Sequence, residues 1–505
     1  MEANQFTWMI AIPLVFSPIV YLAGRLGRNL ILSNRSVLVR ILALVGLLAA
    51  WFPFVQALQT FLAGGQLEFA VESIRLRADA VSLLLAAMVL ILGTLVVIFS
   101  GPYMAGEVGE EKFYAMLLAM MALMIGLGCA TDLFNLWVWF EGMAVSSYLL
   151  VAFYREQPAS LEAGIKYLVQ SATGSVLVLM GIALVLANTG TLDLAVLNGS
   201  STAWSSGSHL LALAAAGLFI IGFGVKVALV PLHTWLPDAH SQAPSGISAM
   251  LSGVVIEAGL IALLRALGSV MHTSDWSILF LGFGALNMLY GNLMALRQSL
   301  VKRMLAYSSL SHIGYILLGL GVAFYAGGQA GAQGAMFHFL THMLMKGLAF
   351  LAVGALIYGL YLQNGSHSAL QVSDLAGAAQ KYPIVALCLS IALLGLGGLP
   401  PLAGFMSKWQ IFVGGFSTAN PWIMALMIFM AFNSVLSLGY YAPLVNLMYR
   451  TTPSSQVQAG KPLPWTLVLP LVLLALAVVL LGFVPGLVDW LTLPAGQVLI
   501  GMFGK

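Results

Sequence analysis

Five charged side chains lie midway along apolar segments that are long enough to cross a membrane. They are Glu141, Lys226, Glu257, Lys346 and Lys408. A charge at the centre of a lipid bilayer costs several kcal/mol even on the mildest scales, so it usually faces the inside of a helix bundle and marks a path for ions or protons. Five such residues on five segments predict a proton relay.

Two histidines share a predicted helix face with Lys346. His338, His342 and Lys346 follow one another at intervals of four residues, which places them on one side of a helix. A third histidine, His312, is flanked by serines and by Tyr315. Two histidines four residues apart can also bind a metal, but no HExxH motif or third ligand accompanies them. The pattern favours a proton relay over a metal site, with hydrogen-bonded core histidines as the alternative.

Proline interrupts two of the charged segments. Pro231 follows Lys226, while Pro400 and Pro401 precede Lys408. Proline has no backbone N–H and clashes with the carbonyl four residues earlier, which breaks the helix. The carbonyl groups expected to be freed are those of Val227, Leu396 and Gly397. Freed carbonyls attract water, which conducts protons, so each break is predicted to belong to the path. The alternative is a simple kink in a packed helix.

Lys226 needs a partner if it is to gain and release a proton. A neighbouring carboxylate would hold its ammonium group charged, and withdrawing that carboxylate would release the proton. Glu141 is the predicted partner. The alternative is a static ion pair that fixes helix packing.

The composition indicates a membrane protein. Only 7% of the 505 residues are charged and 61% are hydrophobic, whereas soluble domains have about 25% charged residues. The two cysteines, Cys129 and Cys388, lie in apolar segments, and no CxxC motif or set of haem or iron–sulfur ligands is present. We therefore expect no cofactor in this chain. A net charge of +3 without a basic tail argues against nucleic acid.

A membrane-spanning helix needs about 20 apolar residues, and the sequence predicts about fourteen such helices. The first segment lacks the features of a signal peptide and is expected to be retained. The predicted spans are 8–24, 38–60, 80–100, 113–130, 132–153, 161–187, 209–230, 246–269, 275–296, 304–325, 335–360, 383–414, 421–448 and 464–486.

The distribution of basic residues predicts the orientation. Of the 20 Lys and Arg residues, 13 fall in or beside the loops after odd-numbered spans and 3 on the other side. Cytoplasmic loops carry the excess of positive charge. Both termini are therefore expected on the non-cytoplasmic side of a multi-pass protein, most simply in the cell (inner) membrane of a prokaryote.

The two broken spans, seven and twelve, are five helices apart. A repeat with an odd number of helices must invert its second copy, and inverted repeats with broken helices are typical of transporters. We predict an all-α polytopic membrane protein with two inverted five-helix repeats. The predicted divisions are 1–112 (helices 1–3), 113–270 (helices 4–8), 271–450 (helices 9–13) and 451–505 (helix 14 and the C-terminus).

Polar residues in three loops have simpler expected roles. The segment QLEFAVESIRLRAD alternates polar and apolar residues, which predicts a short hairpin. Asp79 and Asp132 precede helices and are expected to cap them. Between helices seven and eight, His233, Asp238 and His240 are candidates for the lining of a cytoplasmic entrance, with helix capping as the alternative for Asp238.

Five motifs lie on or beside the charged spans: EGMAVSSYLL, KVALVPLHTWLPDAHSQAPSGISAML, VKRMLAYSSLSHIGYILLGLG, HMLMKGLAFL and GLPPLAGFMSKWQIF. These motifs resemble those of the antiporter-like subunits of respiratory complex I, of the M, N and L types. Relatives of those subunits include subunits of Mrp-type sodium/proton antiporters and of energy-converting hydrogenases. The resemblance covers nearly the whole chain. The chain ends at Lys505 without a long amphipathic helix after helix fourteen, so we expect the M or N type.

The resemblance implies a hydrated central axis lined by one charged residue on each of four helices. The matching positions carry Glu141, Lys226, Glu257 and Lys408. Glu257 departs from the family pattern, which has a lysine or histidine there. Three hypotheses follow: Glu257 pairs with Lys226 or Arg265, it offers oxygen to a sodium ion, or the chain has lost pumping and is a scaffold.

The predicted function is that of a proton-translocating subunit of a complex-I-like oxidoreductase, which is not catalytic alone. The resemblance implies partners in the membrane arm of a multi-subunit complex. NADH, quinone, flavin and iron–sulfur clusters are expected in those partners. The alternatives are a subunit of an Mrp-type sodium/proton antiporter or of a membrane-bound hydrogenase.

Overall fold

The computed structural model describes residues 2–29, 35–72, 74–199, 209–270, 276–326 and 328–503. Apart from one small hairpin, the regular structure of these residues is helical. The elements before the predicted repeats are α1 (Trp8–Asn29), α2 (Arg35–Leu62), β1 (Glu68–Val71), β2 (Ile74–Arg77) and α3 (Ala80–Tyr103). The two strands form the predicted hairpin, with Glu68 opposite Arg77 and Val71 opposite Ile74.

The described part of the first predicted repeat contains eight helices, because one span is broken, one is interrupted and one short helix lies in a loop. They are α4 (Glu110–Cys129), α5 (Leu133–Val151), α6 (Pro158–Thr189), α7 (Leu194–Gly199), α8 (His209–Val227), α9 (Trp235–Gln242), α10 (Ser245–Met250) and α11 (Ile256–Gly268). A π-helical turn, Leu251–Val255, joins α10 to α11, so that Ser245–Gly268 forms one continuous buried span.

The second predicted repeat and the C-terminal part complete the bundle. Their helices are α12 (Ser277–Ala295), α13 (Val301–Ala326), α14 (Gln329–Leu360), α15 (Ala378–Lys381), α16 (Pro383–Gly397), α17 (Ala403–Phe416), α18 (Pro421–Met448), α19 (Ser455–Ala459), α20 (Trp465–Phe483) and α21 (Asp489–Met502). Helix α21 was not among the predicted elements. The predicted start of the ninth span, residue 275, lies outside the described residues.

The prediction of an all-α polytopic membrane protein is confirmed. Within the described ranges, twelve helices are long and apolar enough to cross a membrane. The two other predicted spans correspond to α5, which carries Glu141, and to the pair α16 and α17. The predicted breaks fall where proline placed them: α8 ends at Val227 before Pro231, and α16 ends at Gly397 before Pro400. The peptide bonds Val230–Pro231 and Pro400–Pro401 are cis.

Three spans form the centre of the bundle. The span Ser245–Gly268 is buried throughout, and α13 and α14 are buried along nearly their whole lengths. The outer helices α1 and α2 instead expose apolar side chains such as Leu26 and Phe52, as expected of surfaces that meet lipid. Polar residues on the three central spans therefore face protein.

Candidate functional site

A row of polar side chains runs through the centre of the bundle along α14. His338, His342 and Lys346 are all fully buried. They share one face of the helix, because all three contact residues of α13. Full burial of three titratable groups is costly unless each has a partner, so those partners define the site.

The histidines form a hydrogen-bonded group between α13 and α17. The Nδ1 atom of His312 lies 3.1 Å from the Nε2 atom of His338. The Nδ1 atom of His338 lies 2.8 Å from the Oγ atom of Ser407. The imidazole rings of His312 and His342 are nearly parallel, with centroids 5.1 Å apart. Three histidines are thus placed close enough to exchange protons by small ring movements.

Glu257 joins this group through His342. Its Oε1 atom lies 2.7 Å from the Nδ1 atom of His342, and neither side chain is exposed. The other carboxylate oxygen and the Nε2 atom of His342 have no hydrogen-bond partner among the described residues. The pair therefore has spare hydrogen-bonding capacity on both sides, as a relay needs.

The structure gives Glu257 a partner that differs from both predicted ones. The Glu257 carboxylate contacts neither Lys226 nor Arg265. The guanidinium of Arg265 instead lies 2.9 Å from the Asp79 carboxylate and donates to the backbone oxygen of Gly128. The reason is the length of α11: Arg265 is eight residues beyond Glu257, which carries it to the end of the span where Asp79 begins α3.

Lys346 and Lys408 are held by neutral oxygens. Lys346 donates to the backbone oxygen of Leu305, at 2.7 Å, and to the hydroxyl of Ser308. Lys408 donates to the backbone oxygen of Leu396, at 2.8 Å, and to the Ser434 hydroxyl, at 3.0 Å. Among the described residues, no carboxylate lies within 4 Å of either ammonium group. Neutral partners permit a lysine to exist with or without its proton.

The break between α16 and α17 supplies one of the oxygens that bind Lys408. The carbonyls expected to be freed by the two prolines were those of Leu396 and Gly397. Lys408 binds the first, and the Ser434 hydroxyl donates to the second at 2.9 Å. The Lys408 ammonium also lies 4.4 Å from the centre of the Tyr315 ring. That ring packs against His312 and His338 and so links Lys408 to the histidines.

We call this set of groups the central chain. Lys346 belongs to it as the next residue on the same face of α14, one turn beyond His342 and within electrostatic range of it. The other members contact one another, and they are Glu257, His312, Tyr315, His338, His342, Ser407 and Lys408.

The break between α8 and α9 surrounds Lys226, which lies apart from the central chain. Lys226 donates to the hydroxyls of Ser147, at 2.9 Å, and Tyr167, at 2.5 Å. The Tyr167 ring is stacked on the Trp235 indole with centroids 3.9 Å apart. Trp235 donates in turn to the backbone oxygen of Val225. At this break, side chains bond the backbone oxygens of Val225 and Ala228 and the N–H of Val230.

The predicted contact between Glu141 and Lys226 is not formed. Their charged groups are not within 4 Å, although Glu141 acts on Lys226 electrostatically at longer range. Glu141 is half-buried, and one of its carboxylate oxygens has no partner among the described residues. It lies on the outer stripe of α5, whose other members are the exposed residues Phe134, Val138, Val145 and Leu149. Ser147, six residues further along α5, contacts Lys226 in its place.

The polar loop residues lie in different surroundings. Asp79 and Asp132 cap α3 and α5 as predicted. Asp238 does not cap a helix: it pairs with Lys166 at 3.1 Å and with Arg303 at 2.8 Å. His240 is fully buried and its ring is stacked on Phe350.

Several polar residues of the site were missed or passed over in the sequence. Tyr167, Ser407 and Ser434 lie in largely apolar segments, so their hydroxyl groups gave no signal of their own. Lys302 falls just before the predicted span 304–325 and so counts with the loop residues, yet its side chain is buried. Within the described residues, no group of three or more His, Cys, Asp or Glu side chains is placed to hold a metal ion.

Comparison with known protein families agrees with the motifs. A family model described as "NADH:quinone oxidoreductase/Mrp antiporter, TM" matches residues 130–437. A second, "NADH-Ubiquinone oxidoreductase (complex I), chain 5 N-terminus", matches residues 69–114. The first model includes every residue of the central chain and Lys226.

Relatives of similar length are found among curated proteins. F(420)H(2) dehydrogenase subunit N of Methanosarcina mazei is 31% identical, and the match covers 91% of this chain and 92% of that protein. NADH-quinone oxidoreductase subunit N of Trichlorobacter lovleyi is 32% identical, with 90% and 89% covered. The counterpart in Desulforudis audaxviator is 33% identical, with 79% of each chain covered.

Solved structures share the fold over nearly the full length. A chain of an archaeal membrane-bound sulfane sulfur reductase is 28% identical with a TM-score of 0.85, covering 98% of both chains. A chain of respiratory complex I from Thermus thermophilus is 28% identical with a TM-score of 0.75, covering 95% of this chain and 98% of that one. A chain of the Mrp complex from Dietzia has a TM-score of 0.85 at 22% identity, covering 99% and 97%, and shows the fold alone.

Proposed function

Because this chain belongs to the antiporter-like membrane-subunit family of NADH:quinone oxidoreductases and Mrp antiporters, we propose that it moves protons through the central chain as the N-type subunit of a complex-I-like oxidoreductase. The N type is supported by the relatives, which carry that name in several organisms. Redox chemistry would take place in partner subunits. Those subunits would hold the cofactors that carry electrons from the electron donor to the acceptor.

The observation that carries the proposal is the unbroken sequence of titratable and hydroxyl groups from Glu257 to Lys408. Neighbouring groups are linked by hydrogen bonds of 2.7–3.1 Å or by ring contacts. Buried titratable groups in a membrane protein mark proton routes by default. A scaffold that only held other subunits together would have no use for so many buried titratable groups, because each one reduces its stability.

The hydrogen-bond partner of the Glu257 carboxylate favours protons over sodium ions as the transported ion. A sodium ion needs several oxygen ligands, as other hard cations do. One oxygen of Glu257 is engaged by an imidazole nitrogen of His342, and among the described residues no group of three or more His, Cys, Asp or Glu side chains that could hold a metal ion surrounds it. Glu257 in place of the usual basic residue is therefore proposed to pass protons in partnership with His342.

The outer position of Glu141 supports membership of a larger complex. A carboxylate on a stripe of exposed apolar side chains is costly in lipid. The stripe containing Phe134, Val138 and Glu141 is proposed to be covered by a neighbouring membrane subunit. The excess of basic residues in one set of loops supports a location of both termini outside the cytoplasm of a prokaryotic cell.

The test is proton uptake by the purified complex in sealed vesicles, with electron transfer measured in parallel. In Lys346→Met, which removes the protonatable group, we expect fewer protons moved per electron while the complex assembles fully. The matched control is Lys381→Met, since Lys381 is exposed and donates to the backbone oxygen of Gln458. An unchanged proton-to-electron ratio in an assembled Lys346→Met complex contradicts the proposal and favours a scaffold.

A further inference from the structure

A small polar cavity opens on the side of the bundle that carries most of the basic loops. It has a volume of about 50 Å³, which is room for a few water molecules. We call it the inlet cavity. Its polar lining includes Tyr103, Tyr154, Gln242, Lys302, His367 and Ser368. These residues come from the ends of five different spans or the loops beside them, all predicted to face the cytoplasm.

The outer part of the inlet cavity carries groups that can exchange protons with solvent. The rings of Tyr154 and His367 are 4.7 Å apart, and the Tyr154 hydroxyl has no hydrogen-bond partner among the described residues. His367 lies 3.6 Å from the Glu107 carboxylate. Burial raises the pKa of Glu107, and His367 lowers it in part. Glu107 therefore holds a proton at a higher pH than an ordinary glutamate.

Lys302 forms the inner wall of the inlet cavity. It is buried at the start of α13, and its ammonium group donates to the backbone oxygen of Ala243. Leu305 is one turn further along α13, and its backbone oxygen accepts a hydrogen bond from Lys346. One helix thus brings the cavity wall and the end of the central chain close together.

His240 lies three residues before Ala243, whose backbone oxygen accepts the hydrogen bond from Lys302. It lies within electrostatic range of both Lys302 and Lys346. The imidazole is fully buried, and neither ring nitrogen has a hydrogen-bond partner among the described residues. Its ring is stacked on Phe350, which is one turn from Lys346 on α14. A buried histidine with two unpartnered nitrogens is unusual because buried polar groups are normally hydrogen-bonded.

We propose that protons enter the central chain from the inlet cavity through Lys302 and His240, which deliver them to Lys346. The step rests on the proposed function, since it supplies the protons that the chain moves. Each transfer takes a proton from one nitrogen to the next, and the water of the cavity replaces the proton that Lys302 gives up. Neither residue belongs to the central chain, and neither contacts the Lys226 site.

The first test replaces His240 by phenylalanine. Phenylalanine keeps the stacking on Phe350 and removes the two unpartnered nitrogens, so the thermal stability of the complex should stay the same or rise. Proton uptake per electron should fall to the level of the Lys346→Met variant. Normal uptake in His240→Phe alongside reduced uptake in Lys346→Met overturns the inlet and leaves the proposed function standing. Normal uptake in both variants means that the proposed function itself is wrong.

The second test separates charge from proton transfer at Lys302. Arginine keeps the positive charge but does not lose its proton in proteins. Lys302→Arg and Lys302→Met should therefore both reduce proton uptake, whereas a purely structural charge predicts that arginine restores it. Restoration by arginine overturns the role assigned to Lys302.

The third test blocks the cavity from outside. The native cysteines Cys129 and Cys388 are buried, so Ser368→Cys introduces an accessible thiol at the cavity mouth. A bulky, membrane-impermeant maleimide added to the cytoplasmic side should stop proton uptake in this variant. It should have no effect in Ser373→Cys, where the serine is exposed on the same loop but does not line the cavity. Normal proton uptake after full labelling of Ser368→Cys would show that protons do not enter through the mouth of the inlet cavity.

Discussion

At the scale of residues, three buried lysines are held by neutral hydrogen-bond partners rather than by carboxylates. Lys226, Lys346 and Lys408 all donate to hydroxyl or carbonyl oxygens. A lysine beside a buried carboxylate would be held in its charged form, and breaking such a pair is expensive. Hydroxyl and carbonyl oxygens do not hold a lysine in its charged form in this way. This choice of partners suits Lys346 and Lys408 to the proposed role of proton carriers.

Glu257 gives the first residue-scale prediction. In Glu257→Gln, the side chain keeps its size but can no longer take up or release a proton. We expect proton uptake by the reconstituted complex to fall by on the order of tenfold or more, as for other lost proton-transfer groups, with sodium uptake absent before and after. The measurement is pH-sensitive dye uptake in vesicles alongside a sodium tracer.

The matched control for that experiment is Glu72→Gln, since Glu72 is an exposed carboxylate in the hairpin turn. Its proton uptake should equal that of the unaltered protein. A sodium flux that disappears in Glu257→Gln, with proton uptake unchanged, would show that the carboxylate serves a sodium ion instead.

At the scale of elements, the two broken spans hold the lysines where they can act. In the second break, α17 approaches α16 so closely that a Cβ at Gly404 would overlap the backbone oxygen of Gly395. Only glycine permits this approach. The close packing keeps the Leu396 carbonyl within reach of Lys408.

Gly404→Ala is therefore expected to destabilise the protein by about 1–3 kcal/mol, the usual cost of overpacking, and to reduce proton uptake because the break is forced open. The measurement is the thermal midpoint in detergent. Gly217→Ala in α8 is the control, since a Cβ there meets nothing within 4 Å; alanine should leave stability unchanged or raise it slightly. Equal midpoints for both variants would mean that the second break tolerates a wider separation.

Most of the elements could be predicted from the sequence because each carries a local signal. Long apolar segments gave the spans, prolines gave both breaks, and alternation gave the hairpin. Partners across helices carry no such signal. The pairing of Glu257 with His342, and of Arg265 with Asp79, depends on how α11 is rotated against α14 and α3. The burial of Lys302 depends in the same way on helices far apart in sequence.

At the scale of the whole molecule, the polar groups are arranged asymmetrically about the membrane. The inlet cavity and the basic loops share one side, while the hairpin and the Arg265–Asp79 pair lie at the opposite ends of their helices. The central chain lies in the middle of the bundle and reaches the second break at Lys408. The two sides of the protein therefore differ, and the direction of proton movement depends on the orientation of the protein in the membrane.

The orientation of the protein in the membrane can be checked by labelling intact cells. Ala70→Cys lies on the exposed face of the hairpin and should react with an impermeant maleimide from outside. Ser373→Cys should react only after the membrane is opened. The buried native cysteines give no background. The reverse pattern would show that the termini face the cytoplasm.

The π-helical turn at Leu251–Val255 limits which insertions and deletions this protein can accept during evolution. An α-helix advances about 100° per residue, so the wide turn fixes the angular phase of everything that follows it in the same span. Loss of one residue there would swing Glu257 away from His342 and Arg265 away from Asp79 by the same angle. The positions of two buried pairs near opposite ends of α11 thus depend on the same turn. A substitution within α11 can disturb one pair and leave the other intact, whereas deletion of a single residue before α11 would break both pairs at once.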